Sequence, residues 1–169
     1  MAEVFEVFEF DLVFALPENA AEDAVLDALF EGGLDDAVAG LGAAGLLGLS
    51  FERRGEAAEA VIARTATEVL HALPEGAELR EVRPDLVSLA DVAARLAVTR
   101  QALRKRRMPM PLAGGLYRAS EVGRSLAATP SGKAGAALDG SRAWFAAAEG
   151  AQRVNARLAL GEFPARVEG

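Results

Sequence analysis

The sequence predicts an α+β protein, and three observations carry that prediction. In the first half of the chain, runs of alternating apolar and polar residues interleave with runs whose apolar residues recur at three- and four-residue steps. Breakers fall between the runs: Gly32, Gly33, Pro74 and Pro84. Beyond Pro84 the pattern becomes mainly helical and the charge changes sign.

Residues 4–16, VFEVFEFDLVFAL, read as a strand, because β-branched and aromatic residues alternate with Glu6 and its successors. Residues 17–33 read as a helix. Asn19 with Glu22 three positions on has the form of a capping box, Ala24, Leu26, Leu29 and Phe30 make an apolar face, and Gly32 and Gly33 end it. Residues 35–40 read as a short strand, and GLLGLSFERR as a second one joined to it by a hairpin-length link. Residues 56–72 read as a helix with Ala58, Val61, Ile62, Val69 and Leu70 for the core, stopped by Pro74. Residues 77–82 close the region as a strand. The order strand, helix, strand, strand, helix, strand is that of the ferredoxin-like split βαβ sandwich, with two helices over one face of a four-stranded antiparallel sheet. Residues 1–84 are therefore expected to form a ferredoxin-like α+β domain; another α+β sandwich built from the same elements is the alternative.

Residues 129–141, TPSGKAGAALDGS, read as a linker rich in Gly and Ala. Residues 142–160 read as a C-terminal helix, with Trp144, Ala148, Ala151, Val154 and Leu158 on one stripe available for dimerisation or packing. Gly150 weakens that helix by about 1 kcal/mol relative to Ala.

Composition narrows the functional classes. The chain has 169 residues, 51% of them hydrophobic and only 6% aromatic, so its core must be built mostly from Ala, Leu and Val. Cysteine is absent, which excludes disulfides and thiolate chemistry. The start, MAEVFEVFEFD, lacks the basic and apolar regions of a signal peptide, and no run approaches a membrane span. The expectation is a soluble, cytoplasmic protein, and the heavy use of Ala, Gly and Arg points to a GC-rich bacterial genome. Net charge is −7, but it is unevenly spread. Residues 1–85 hold 19 acidic and 5 basic side chains, whereas residues 86–128 hold 2 acidic and 8 basic. The first part repels polyanions and the second attracts them.

The basic part is concentrated in SLADVAARLAVTRQALRKRR, residues 88–107. Ser88 with Asp91 has the form of a helix start, and Thr99 can cap a second helix running to Arg107. Val92, Ala93, Leu96, Val98 and Leu103 have the spacing of a helix-turn-helix core, with Ala102 also expected inside and Ala93 small enough for a close crossing. The outer face of the second helix carries Arg100, Gln101, Arg104 and Lys105, among them the side chains whose forked donors match guanine and adenine edges. Arg106 and Arg107 follow, positioned to neutralise phosphates.

Residues 88–105 followed by MPMPLAGGLYRASEV resemble the winged helix-turn-helix of excisionase and MerR-type DNA-binding proteins. The resemblance covers about 40 residues, 85–128 as a domain. It implies a wing from Met110 to Arg118 with Gly114 and Gly115 at its tip, and a further helix opening at Ser120. It also implies that Thr99, Arg100, Gln101 and Arg104 face DNA and that Arg118 contacts phosphate. The turn position commonly held by Gly is Ala97 here, at a cost of about 1 kcal/mol if it must be left-handed. In MerR-type proteins the effector region follows the winged domain, whereas here a folded domain precedes it, so effector sensing is not implied.

Other features carry less. His71, the single histidine, falls at a helix end and reads as a surface residue. TPSGKAG lacks the first Gly, the Ser or Thr, and the preceding strand of a phosphate loop. The carboxylates of residues 1–36 read as a solvated surface, and Trp144 and Phe145 as core or dimer contacts. No nucleophile–base or metal constellation is legible, so the expectation is a non-enzymatic protein without a cofactor. Its expected partner is double-stranded DNA, bound as a homodimer by a transcriptional regulator. The alternative is an antitoxin- or excisionase-like accessory factor whose acidic domain binds a protein partner or a small ligand.

Overall fold

A computed structural model describes residues 4–41, 43, 45–129 and 137–167. The fold is mixed α+β. Strands β1 (Glu6–Ala15), β2 (Val38–Leu41), β3 (Leu46–Gly55) and β4 (Glu78–Arg83) form one antiparallel sheet in the order β2-β3-β1-β4. Helix α1 (Glu22–Glu31) joins β1 to β2, and α2 (Ala58–Ala72) joins β3 to β4.

Period-two alternation does what it must in a sheet covered on one side. Phe8, Phe10, Leu12 and Phe14 of β1 are buried; opposite the last three in register lie Phe51, Leu49 and Leu47 of β3, and opposite Phe8 lies Arg53. The Phe10 and Phe51 rings stack with centroids 5.8 Å apart. Val25 and Leu29 of α1, and Val61, Ile62, Ala66 and Val69 of α2, close this core from above.

The covering layer holds a third helix beyond the two expected. Helix α6 (Arg142–Ala159) lies against α2 and β1 and places Ala147, Ala151 and Val154 in the same core. Its glycine has a packing reason: a Cβ on Gly150 would stand 2.6 Å from both the Ala58 Cβ and the Glu59 nitrogen. The helix propensity lost at Gly150 thus permits an approach to α2 that no other residue allows.

Helix α6 also covers the edge of the sheet at β4. The Val82 N–H donates to Asn155 Oδ1 at 2.8 Å, and Asn155 Nδ2 donates to the Val82 carbonyl at 2.8 Å and to Asp85 Oδ2 at 2.9 Å. A side-chain amide stands here in place of a neighbouring strand. Farther along the same strand, the Leu79 N–H donates to the Ala165 carbonyl at 2.8 Å.

The rest of the chain packs a second, smaller core. Strand β5 (Leu86–Val87) pairs with β6 (Tyr117–Arg118), and α3 (Leu89–Leu96), α4 (Arg100–Arg104) and α5 (Ala119–Ala128) surround Val87, Val92, Ala93, Leu96, Leu103, Val122 and Leu126. Ala148 of α6 belongs to this core, so one helix contributes to both. Ser120 Oγ donates to Gln152 Oε1 at 3.0 Å, and a Cβ on Gly123 would meet the Phe145 ring at 2.9 Å.

Several local expectations are corrected. Helix α1 is capped at Ala21 without a side-chain hydrogen bond, so Asn19 and Glu22 form no capping box. Ala102 is exposed, and α4 ends at Arg104 rather than Arg107. Helix α5 opens at Ala119 with Arg118 as its N-cap, one position before Ser120. Residues 137–140, expected as linker, are helical. Residues 130–136, with most of TPSGKAG, lie outside the described residues.

Two predictions follow from these contacts. Asn155→Ala leaves the Val82 amide and carbonyl without the side chain that binds them, and urea denaturation should register a loss of about 1–3 kcal/mol. The second concerns acid. Arg53 binds both Asp36 oxygens at 3.0 Å and Glu68 at 2.8 Å, and its hydrogen bond holds the Asp36 carboxyl below its ordinary value. Arg166 and then Arg80 do the same to Glu78. Carboxyls depressed in the folded state stabilise it fully above their unfolded values, and that contribution disappears as pH falls through the folded ones. The melting temperature should therefore drop on acidification below about pH 4, and the gap between wild type and Arg53→Gln should narrow there.

Candidate nucleic-acid interface

The basic residues are set in place by two capped helices and the turn between them. Ser88 Oγ accepts the Asp91 N–H at 3.0 Å and Asp91 Oδ2 accepts the Ser88 N–H at 2.8 Å, so α3 starts in a complete capping box. It ends at Ala97, which takes the left-handed conformation, φ 53° and ψ 40°. The Val98 N–H reaches back to the Ala93 carbonyl at 3.0 Å. Thr99 Oγ1 then accepts the Ala102 N–H at 3.0 Å and caps α4. Leu103 is the one fully buried residue of α4 and anchors it against the second core.

That anchor turns Thr99, Arg100, Gln101, Arg104 and Lys105 to solvent, with Arg107 just beyond. Among the described residues, Arg100, Arg104, Lys105 and Arg107 form no ion pair. Most arginines elsewhere do. Arg53 pairs with Asp36 and Glu68, Arg80 and Arg166 with Glu78, Arg83 with Glu81, and Arg157 with Glu59.

Three basic residues of this part of the chain instead serve its internal architecture. The Arg106 guanidinium turns back to the Thr129 carbonyl at the end of α5. Arg118 lies 3.5 Å from Asp85, a carboxylate only 12% exposed that also receives Asn155. Arg95, not singled out from sequence, hydrogen-bonds Glu9 of β1 and lies over the Trp144 ring at 5.4 Å. A signal for Arg95 existed in the sheet register: Glu9 faces Glu52 directly, a like-charge pair that needs a cation nearby.

The segment expected as a wing is a loop. β6 pairs with β5, which precedes α3, and residues 110–116 carry no ladder of their own. Gly114 and Gly115 take positive φ, 74° and 72°, within a 3₁₀ turn at residues 113–115, and the Leu112 N–H donates to the Leu116 carbonyl at 2.6 Å.

Elsewhere, a groove of about 530 Å³ between α5 and α6 is lined by Arg124, Phe145, Glu6 and Glu149. His71 sits near the end of α2, its Nδ1 2.8 Å from the Thr67 carbonyl. Among the described residues no group of three His, Cys, Asp or Glu side chains could hold a metal ion, and no helix is long and apolar enough to cross a membrane. No protein-family model, curated protein or solved structure matches the chain.

Ala97 yields a direct test of the turn. Glycine has no Cβ to crowd the left-handed conformation, so Ala97→Gly should raise stability by about 0.5–1 kcal/mol. The midpoint of urea unfolding measures it.

Proposed function

We propose that this chain is a sequence-specific double-stranded DNA-binding protein acting as a cytoplasmic transcriptional regulator. The observation that carries the reading is the group of solvent-facing cations on and after α4 without ion pairs among the described residues, in a chain of net charge −7. A protein that pairs most of its other arginines and leaves these open is suited to a polyanion.

In this reading residues 85–128 are a helix-turn-helix domain in which the loop 110–116 stands in place of the expected β wing, and residues 1–84 are a ferredoxin-like sandwich, for which the strand order β2-β3-β1-β4 is the support. Helix α4 enters the major groove, with Arg100, Gln101 and Arg104 toward base edges and Lys105 and Arg107 toward phosphates. Arg106 and Arg118 act from within, holding α5 and the loop in position. Five helical residues reach few bases, so a homodimer on two half-sites supplies the remaining affinity. The acidic sheet domain is repelled by the duplex, which limits non-specific binding.

A second reading, an antitoxin- or excisionase-like accessory factor, takes its support from the sheet face away from the helices. That face carries Asp11, Glu52 and Glu81, with Arg54 and Arg83 beside them and Glu81 paired to Arg83. A protein partner with basic side chains would complement it.

Selection from a pool of random duplexes at two salt concentrations tests the proposal. The expected result is an enriched motif with two spaced half-sites. Arg100→Ala or Arg104→Ala should flatten the preference at one position, at a cost of about 1–3 kcal/mol, while Arg107→Ala weakens all sequences alike and lowers the salt slope by about one. A single half-site favours the accessory factor. No binding at low salt overturns both readings.

A further inference from the structure

We infer that Met110 is an apolar wedge that enters between base pairs and bends the bound duplex. The inference rests on the DNA-binding reading and extends it to a contact that charge does not supply.

Met110 is 84% exposed and Leu112, two residues on, is 41% exposed. Both lie in the loop that follows Lys105 and Arg107, which form no ion pair among the described residues. The loop is held at each end. At its start, the Arg107 carbonyl accepts Ser125 Oγ at 2.5 Å and Met108 packs on the second core. At its end, β6 pairs with β5 and the Ala119 N–H donates to the Asp85 carbonyl at 2.7 Å. Between these anchors Met110 stands between Pro109 and Pro111. Each proline fixes its own φ and confines the residue before it to extended conformations, so Met108 and Met110 are both restrained. The apolar side chain is therefore carried outward on a stiff arm.

A stiff arm loses little conformational entropy when it docks. Phosphate contacts from Lys105 and Arg107 would bring the arm against the duplex, and an unbranched apolar side chain at its apex fits a gap between two base pairs. Methionine is among the side chains that partially unstack a step in this way. The unstacking costs a few kcal/mol and is cheapest at pyrimidine–purine steps. Met110 would thus favour sites containing such a step without hydrogen-bonding any base.

The test uses the full chain and a duplex recovered from the random-pool selection, labelled at both ends for energy transfer and carrying 2-aminopurine at the central steps. Wild type should bend the duplex by roughly 20–90° and raise 2-aminopurine fluorescence at one step. Met110→Leu should retain both signals. Met110→Ser should lose both while keeping the salt slope and the melting temperature of wild type. A duplex that is bound but straight overturns the wedge and leaves the DNA-binding reading intact, as does a Met110→Ser protein that bends it equally. Failure to bind any duplex at low salt overturns both together.

Discussion

The close approach of α6 to α2 at Gly150 is the constraint on which the rest of the structure depends. With a Cβ at that position the two helix backbones must separate, because the atoms it meets belong to the Ala58 methyl and the Glu59 main chain. Seated at that depth, α6 buries Ala147, Ala151 and Val154 over the sheet and Ala148 among the helices of the basic region. The same seating brings Asn155 level with Val82, so the exposed edge of β4 is closed by a side chain. Arg157 to Glu59 and Gln152 to Ser120 then tie α6 to both neighbours. The basic region is consequently attached through a helix, an amide clamp and the Arg95–Glu9 contact as well as through the chain at Pro84.

Charge follows the same division of labour. Within the sheet domain, arginines are spent on carboxylates that would otherwise repel one another or lie half-buried, as Arg53 is between Asp36 and Glu68. Arg95, Arg106 and Arg118 extend this pattern into the basic region, each directed at an oxygen of the protein itself. The remaining cations of the stretch face solvent because Leu103 is the point by which α4 is held, and its other positions turn outward. The outward-facing charge is thus a product of how few anchors a five-residue helix needs.

Much of the architecture is legible in the sequence where one local signal dominates. The β1 alternation, the Ser88–Asp91 box and the Thr99 cap are each written in a few adjacent residues, whereas Ala97 lacks the glycine that would have announced its left-handed turn. The start of α1 is not, because Asn19 and Glu22 have the spacing of a box but the chain enters the helix at Ala21. Loss of the wing hairpin has a similar cause: β6 finds its partner in Leu86–Val87, some thirty residues upstream, which no local pattern announces. Within the candidate site, residue type identified the basic cluster but could not sort it. Arg106 and Arg118 look like Arg104 and Arg107 in sequence, and only tertiary neighbours, Thr129 and Asp85, turn them inward.

If α6 joins the two cores, they unfold as one. Native-state hydrogen exchange in low urea measures this directly, by comparing the opening free energies of the β1 amides with those of α3 and α5. One shared value for both sets is the predicted result. Opening of α3 and α5 at a distinctly lower free energy, with β1 still protected, would mean that α6 belongs to the sheet alone and would contradict the account.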